Sequence, residues 1–265
     1  MRIPILLLAV LFVPVLAAGK GADSRWPCAL EKGRYQAKLA STGKVLWTVL
    51  WETQVTEREG QPQVEIREQG EGQSSRYKFP TRWKKRMVFS APEGSPLQVT
   101  LVEGQRWKQN GKPLSSMEIQ LDPQGGQIRY VDREGDKPDT AVFPWTPSAL
   151  PDEMLFHWIR TLPFENAGRP GGAKAECLLL VSPKRRFFMD ARVQGIEQVT
   201  TPAGTFSCYR VDFSPRLAGP IRALAPKMAL WCRTDAPHAW VRYQGPVGGP
   251  GSPQAILELV KFEAS

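Results

Sequence analysis

The chain has 265 residues, 42% of them hydrophobic and 23% charged, with a formal net charge of +9. That apolar content excludes a disordered chain, and the length is ample for a buried core without structural staples. The 24 prolines and 23 glycines are spread along the sequence, which favours many turns and short strands over long helices.

Met1 to Ala18 reads MRIPILLLAVLFVPVLAA, with Arg2 as a positive start, an apolar run from Ile3 to Leu16 and small residues at Ala17, Ala18 and Gly19. This is the pattern of a cleavable signal peptide over residues 1–17. A spanning helix needs roughly 20 apolar residues; this run is shorter and holds Pro4 and Pro14. Cys28, behind Trp26 and Pro27, stands too far on for lipid anchoring. Removing residues 1–17 leaves 248 residues and takes away only Arg2, so the mature charge is +8. In an exported protein that excess points to anionic lipid, glycan or solubility rather than nucleic acid. The expected location is periplasmic or secreted.

From about residue 33 to 142 the sequence predicts an antiparallel meander. The segments YQAKLA, KVLWTVLWETQV, QVEIREQGEG, SRYKF, LQVTLVEGQRWKQNG, SMEIQLD and QIRYVDREGD each read as a strand or hairpin arm. Met117, Ile119 and Leu121 alternate with Glu118 and Gln120, which predicts one dry face. Asn110-Gly111 and Gly125-Gly126 suit tight hairpin turns. Val45 to Trp51 is apolar at both parities, as in a central strand covered on both faces.

SALPDEMLFHWIRTLPFE breaks the pattern. Ser148 can cap, Pro151 suits a first turn, and Asp152 and Glu153 suit the positive end of a helix. Leu155, Trp158, Ile159 and Leu162 recur at helical spacing, and Pro163 stops the run. The prediction is one apolar helix, Pro151 to Leu162, lying against a sheet.

Beyond a loop, ECLLLVS, RRFFMDARVQG, FSCYRVDF, KMALWCRT, AWVRYQG and AILELVKFE give six more strands, a second meander over about 176–263. The fold class expected is all-β and mainly antiparallel: a curved meander or half-barrel sheet closed over one apolar helix. Residues 18–265 are expected to form a single β-rich domain. If FSCYRVDF and KMALWCRT are neighbours and Phe213 pairs with Lys227, Cys208 falls opposite Cys232, and a disulfide is expected there. The alternative is four buried, unpaired thiols. A Cys28–Cys177 pairing is neither supported nor excluded.

EMLFHWIRTLPF, GIEQVTTPAGTF, ALWCRTDAPHAWVRYQG and the terminal ELVKFE together resemble the bacterial exported family known as domain of unknown function 3108. The resemblance covers Phe143 to Glu263. Its most specific pieces are E-x-V-x-T-P-A-G-T-F, Glu197 to Phe206, and W-x-x-x-x-x-P-H-x-x-V-R, Trp231 to Arg242. It implies a secreted or periplasmic β-rich domain, and it brings no activity and no catalytic residues.

The residues themselves offer little chemistry. His157 and His238 are the only histidines. Either could act as a base, and His238 with Cys232 could form a Cys/His pair, but a packed helical histidine is more often a core residue. G-x-S-x-G, H-E-x-x-H and C-x-x-C are absent. Asp190, Asp212 and Asp235 are scattered. Gly245 to Pro253 holds three prolines and leads into a strand, so it reads as a hairpin loop rather than a phosphate loop. No cofactor or metal is expected. The basic runs Arg82 to Arg86 and Lys184 to Arg186 could contact an anionic membrane surface. The leading expectation is a non-catalytic exported protein that binds or carries an apolar or lipid-like ligand, with Leu155, Trp158, Ile159, Leu162 and Trp231 lining the site. The alternatives are a structural or interaction protein of the envelope, and a hydrolase with an unrecognised site.

Overall fold

The computed structural model describes residues 30–264, apart from 59–60, 74–76, 78, 91–97, 136, 167–172, 218, 220–224 and 247–251. The signal-peptide reading of residues 1–17, Cys28 and most of SRYKF lie outside the described residues. Two runs of strands build the fold. The first holds β1 (Leu30–Leu39), β2 (Val45–Arg58), β3 (Gln61–Gly72), β4 (Thr81–Ser90), β5 (Gln98–Lys108), β6 (Pro113–Asp122), β7 (Gln127–Glu134) and β8 (Pro138–Pro144). A three-residue strand, β9 (Ala149–Pro151), and the helical segment follow. The second run is β10 (Lys174–Ser182), β11 (Arg185–Thr201), β12 (Gly204–Pro215), β13 (Met228–Arg233), β14 (Trp240–Pro246) and β15 (Gln254–Ala264).

All fifteen strands form one sheet. Each run is a meander of neighbours, and β1 pairs antiparallel with β15 to join the two. The edges of the sheet are therefore β8 and β9, which are consecutive in the chain. Only residues 145–148 lie between them, so the edges come within about 18 Å of each other at most. Side chains cross the remaining gap. Tyr130 Oη donates to the Val181 carbonyl at 3.4 Å. Lys184 Nζ lies 2.8 Å from Asp139 Oδ2, and the Arg186 guanidinium sits over the Phe143 ring. The sheet curves like a barrel but is not closed.

Alternation sorts the strands into an inner and an outer face. Ile119 and Leu121 are buried and Met117 packs against the same core, as expected for one dry face. Aromatic rings fill much of the interior. Tyr35 stacks on Trp240 and donates its hydroxyl to the Trp240 carbonyl at 2.8 Å. Phe156 meets Trp240 edge-on and lies against Tyr243. Gly33 is required here, because a Cβ at that position would overlap the Trp51 indole.

Three expectations are corrected. β2 is not covered on both faces: Val49 and Trp51 are buried, whereas Leu50 is 46% exposed. The helix is shorter than Pro151–Leu162. Pro151 ends β9, Asp152–Met154 is a 3₁₀ turn, and only Leu155–Ile159, α1, is α-helical. Ser148 does not cap it; its hydroxyl meets that of Thr146, and its carbonyl accepts from the Leu178 amide. Parallel pairing of β9 with β10 takes the residues that would have formed the first turn. The third correction concerns the thiols. Phe213 pairs with Met228, not Lys227, so Cys208 faces Arg233 and Cys232 faces Tyr209. A one-residue difference in register puts facing side chains on opposite sides of a sheet. Cys177, Cys208 and Cys232 are buried free thiols.

The β11–β12 hairpin is longer than its neighbours, and its tip curls over the outer face. Arg242 on β14 donates to the Thr200 carbonyl at 2.7 Å, and the Ala203 amide donates to the Leu259 carbonyl on β15. Neither strand is a sheet neighbour of β11.

Candidate functional site

Leu155, Ile159 and Leu162 are buried in the main core, at 7%, 0% and 6% exposure, and Trp158 is half-buried against it. The stripe predicted to line a ligand site thus meets the sheet, and three of its four members are packed. His157, on the same short helix, is buried too, and its Nε2 lies 3.8 Å from Glu68 Oε1 on β3.

A buried charge pair fixes this segment. Arg160 Nη2 donates to both carboxylate oxygens of Glu31 at 2.9 Å, and its Nε and Nη2 donate to the Pro237 carbonyl. Arg160 is 1% exposed and Glu31 is fully buried. One guanidinium therefore ties the helical segment to β1 and to the β13–β14 turn. Around it, burial pushes the His157 imidazole down, against the pull of Glu68. Burial pushes the Glu68 carboxyl up, but the His157 hydrogen bond and the Lys85 charge outweigh it and hold the group below the usual range. Burial and the neighbouring Glu153 push Asp152 well up. Sequence reasoning did not single out Glu31, Glu68 or Arg160. The available signal was the spacing Glu153, His157, Arg160, which puts three polar groups on one helical face.

Trp231 is not part of that assembly. Leu230 and Cys232 on either side of it point inward and are fully buried. Trp231 points the other way, where its Nε1 donates to Glu197 Oε2 at 2.8 Å and Arg210 lies over its ring. There it lines a trough on the outer face of β10–β14 that encloses about 1030 Å³. Along one wall Lys174, Arg192, Asp212, Ala229 and Gln244 succeed one another in register across five strands. Glu176, Asp190 and Ser214 form the facing wall in the same way. Arg216 bridges Glu176 and Asp190, with its Nε 3.1 Å from Asp190 Oδ1. Arg210 Nε binds Asp212 Oδ1 at 2.8 Å.

A second trough, of about 680 Å³, crosses the outer face of β1–β7. Arg67 and Arg86 on its wall are paired with Glu52, Glu65 and Glu103. These pairings bear on the basic runs. In Arg82 to Arg86, Trp83 and Lys85 stand at inward positions while Arg82, Lys84 and Arg86 stand outward, and Arg82 meets Glu71. Lys184 and Arg186 are engaged at the gap between the sheet edges. Neither run forms a uniform basic face.

The remaining candidates for chemistry are occupied structurally. Asp190 holds Arg216, Asp212 holds Arg210, and Asp235 holds Arg233. His238 Nδ1 meets the Arg233 carbonyl at 2.9 Å, and its ring packs against Phe164 and the edge of Tyr209, which stack on each other. Among the described residues, no group of three His, Cys, Asp or Glu is placed to hold a metal ion.

A family model matches residues 34–252. The chain belongs to DUF3108, a family of proteins of unknown function. The match corrects the extent of the resemblance read from the motifs: DUF3108 takes in the N-terminal meander as well as the C-terminal half. Among solved structures, the β-barrel-like protein of domain of unknown function DUF1849 from Brucella abortus aligns at a TM-score of 0.54 and 8% identity, over 90% of this chain and 98% of that one. That likeness shows a shared fold. A protein with a YmcC-like fold from Bacteroides fragilis NCTC 9343 aligns at a TM-score of 0.33 and 12% identity, over 88% and 95% of the two chains. No curated protein matches the chain.

The two motifs that carried the resemblance to DUF3108 touch each other in space. Glu197 and Thr200 of the first receive Trp231 and Arg242 of the second.

Proposed function

We propose that this DUF3108 protein is exported and binds a lipid-like amphiphile without catalysing a reaction, in the outer trough of β10–β14 rather than between sheet and helix. The apolar and charged stretch at residues 1–17 supports export. The observation that carries the site is the contrast with the sheet–helix space to which the sequence pointed. The helical stripe is packed into the core, whereas the trough has about 1030 Å³ of space, at the upper end of what small-molecule sites enclose. Trp231 and Ala229 lie at its floor, at 7% and 8% exposure. The ion pairs that occupy Asp190, Asp212 and Asp235 support a non-catalytic role.

Tryptophan fluorescence, titrated with single-chain amphiphiles below their micellar concentration, tests this. Saturable one-to-one binding is expected. Ser214→Trp, which fills the trough from its wall, should weaken it at least tenfold. Trp158→Ala should lower the melting temperature and leave affinity alone. Binding lost in Trp158→Ala and kept in Ser214→Trp would return the ligand to the sheet–helix interior.

A further inference from the structure

We propose that the β10–β14 trough selects an anionic head group, a carboxylate or phosphate on a single amphiphile, held between Lys174 and Arg192 with Lys227 at the end of the trough. This rests on the reading of that trough as the ligand site.

Lys174 and Arg192 are direct cross-strand partners on β10 and β11. Arg192 lies between Ala191 and Val193, both buried, so the pair projects outward. Like charges directly opposite each other on a sheet destabilise it. Such a pair normally has a carboxylate close by. Here the carboxylates of the trough are engaged elsewhere: Arg216 spans Glu176 and Asp190, and Arg210 holds Asp212. Among the described residues no ion pair forms at Lys174, Arg192 or Lys227.

The trough of β1–β7 makes the contrast. Lys85 on its lining turns inward, and its outward cations without an ion pair among the described residues, Lys32, Lys84 and Arg133, sit on β1, β4 and β7. Three strand spacings separate each from the next, about 14 Å, so no single head group can touch two of them. Only the β10–β14 trough brings two such cations onto adjacent strands.

The probes are dodecyl phosphate and dodecyl maltoside, each below its micellar concentration, with phosphatidylglycerol vesicles as a third arm. Dodecyl phosphate should bind about tenfold more tightly than the maltoside at 50 mM salt, the scale of two charge-assisted contacts at a partly exposed site, and the advantage should shrink as salt rises. The double variant Lys174→Gln/Arg192→Gln should lose that advantage while keeping the maltoside affinity. In ligand-free protein Lys174→Gln should melt no lower than the wild type, because it removes a repulsion. Equal affinity for both probes, lost together in Ser214→Trp, would overturn the anion selectivity and leave the trough as the ligand site. Binding of neither probe would overturn the ligand site itself. Attachment to the vesicles without affinity for either monomer would overturn both and point to a membrane surface. A clear drop in melting temperature for Lys174→Gln would show the cation serving the fold, and would also overturn the selectivity.

Discussion

Trp231 on β13 donates its indole N–H to Glu197 near the tip of the β11–β12 hairpin, 34 residues away in sequence and 2.8 Å away in space. With the Arg242 to Thr200 bond, it holds the curled tip against the outer face of β13, which pairs with β12 of the hairpin, and of β14, which does not pair with it. Hydrogen bonds to charged groups contribute about 1.5–3 kcal/mol when buried, and Glu197 is 45% exposed. A double-mutant cycle with Trp231→Phe and Glu197→Gln should therefore show coupling of about 1 kcal/mol in urea unfolding. Additive single effects would mean that the tip is not held by this bond.

The Glu31–Arg160 pair should behave as a buried ion pair does. Removing one partner leaves an uncompensated charge and costs about 3–5 kcal/mol. Arg160→Leu and Glu31→Leu should each fall in that range, since neither group reaches water. The double Leu variant should recover much of the loss. A single variant within about 1 kcal/mol of wild type would show that water reaches the site.

The thiols give a chemical check on the sheet register. Burial pushes Cys177 and Cys208 up to about 12 and Cys232 higher still, and the thiolate is the reactive form. Native protein at pH 7.5 should leave all three unlabelled by a maleimide, and they should label on unfolding in urea. Non-reducing peptide mapping should find no Cys208–Cys232 link. Finding that link would move β12 against β13 by one residue.

What could be read in the sequence was what depends on local pattern. The alternation at Met117, Ile119 and Leu121 gave a dry face, and the six C-terminal strand segments all form strands. What could not be read depends on register between segments. Cys208 and Cys232 looked opposed because a one-residue choice separated Lys227 from Met228 as the partner of Phe213, and the intervening loop does not fix that choice. The same limit hid Lys174 beside Arg192, which are 18 residues apart and meet only once β10 and β11 are aligned. The helix was located correctly and drawn too long, because β9 competes for Pro151 and its neighbours through strand pairing that no helical periodicity reveals.

His157 carries the last prediction. Its ring is 4% exposed, and burial lowers its pKa below the unfolded value near 6.5, with Glu68 only partly opposing that. A base with a depressed folded pKa binds fewer protons folded than unfolded. Its contribution to stability is therefore intact above about pH 6.5 and is lost as pH falls through the lowered folded value. Asp152 works in the other direction. Its folded pKa is raised, so its contribution is intact at acid pH and lost as pH rises through that raised value. Glu68, lowered in the fold, loses its contribution below the His157 window, at more acid pH. The wild-type curve mixes all three, and His157→Gln removes the histidine together with the hydrogen bond that holds Glu68 down. Between pH 7.5 and 5 the wild type should lose stability relative to that variant, measured as the urea midpoint at each pH. Parallel curves for the two proteins across that range would show that His157 reaches its protonated form in the fold without cost, and that the Glu68 pairing rather than burial governs the ring.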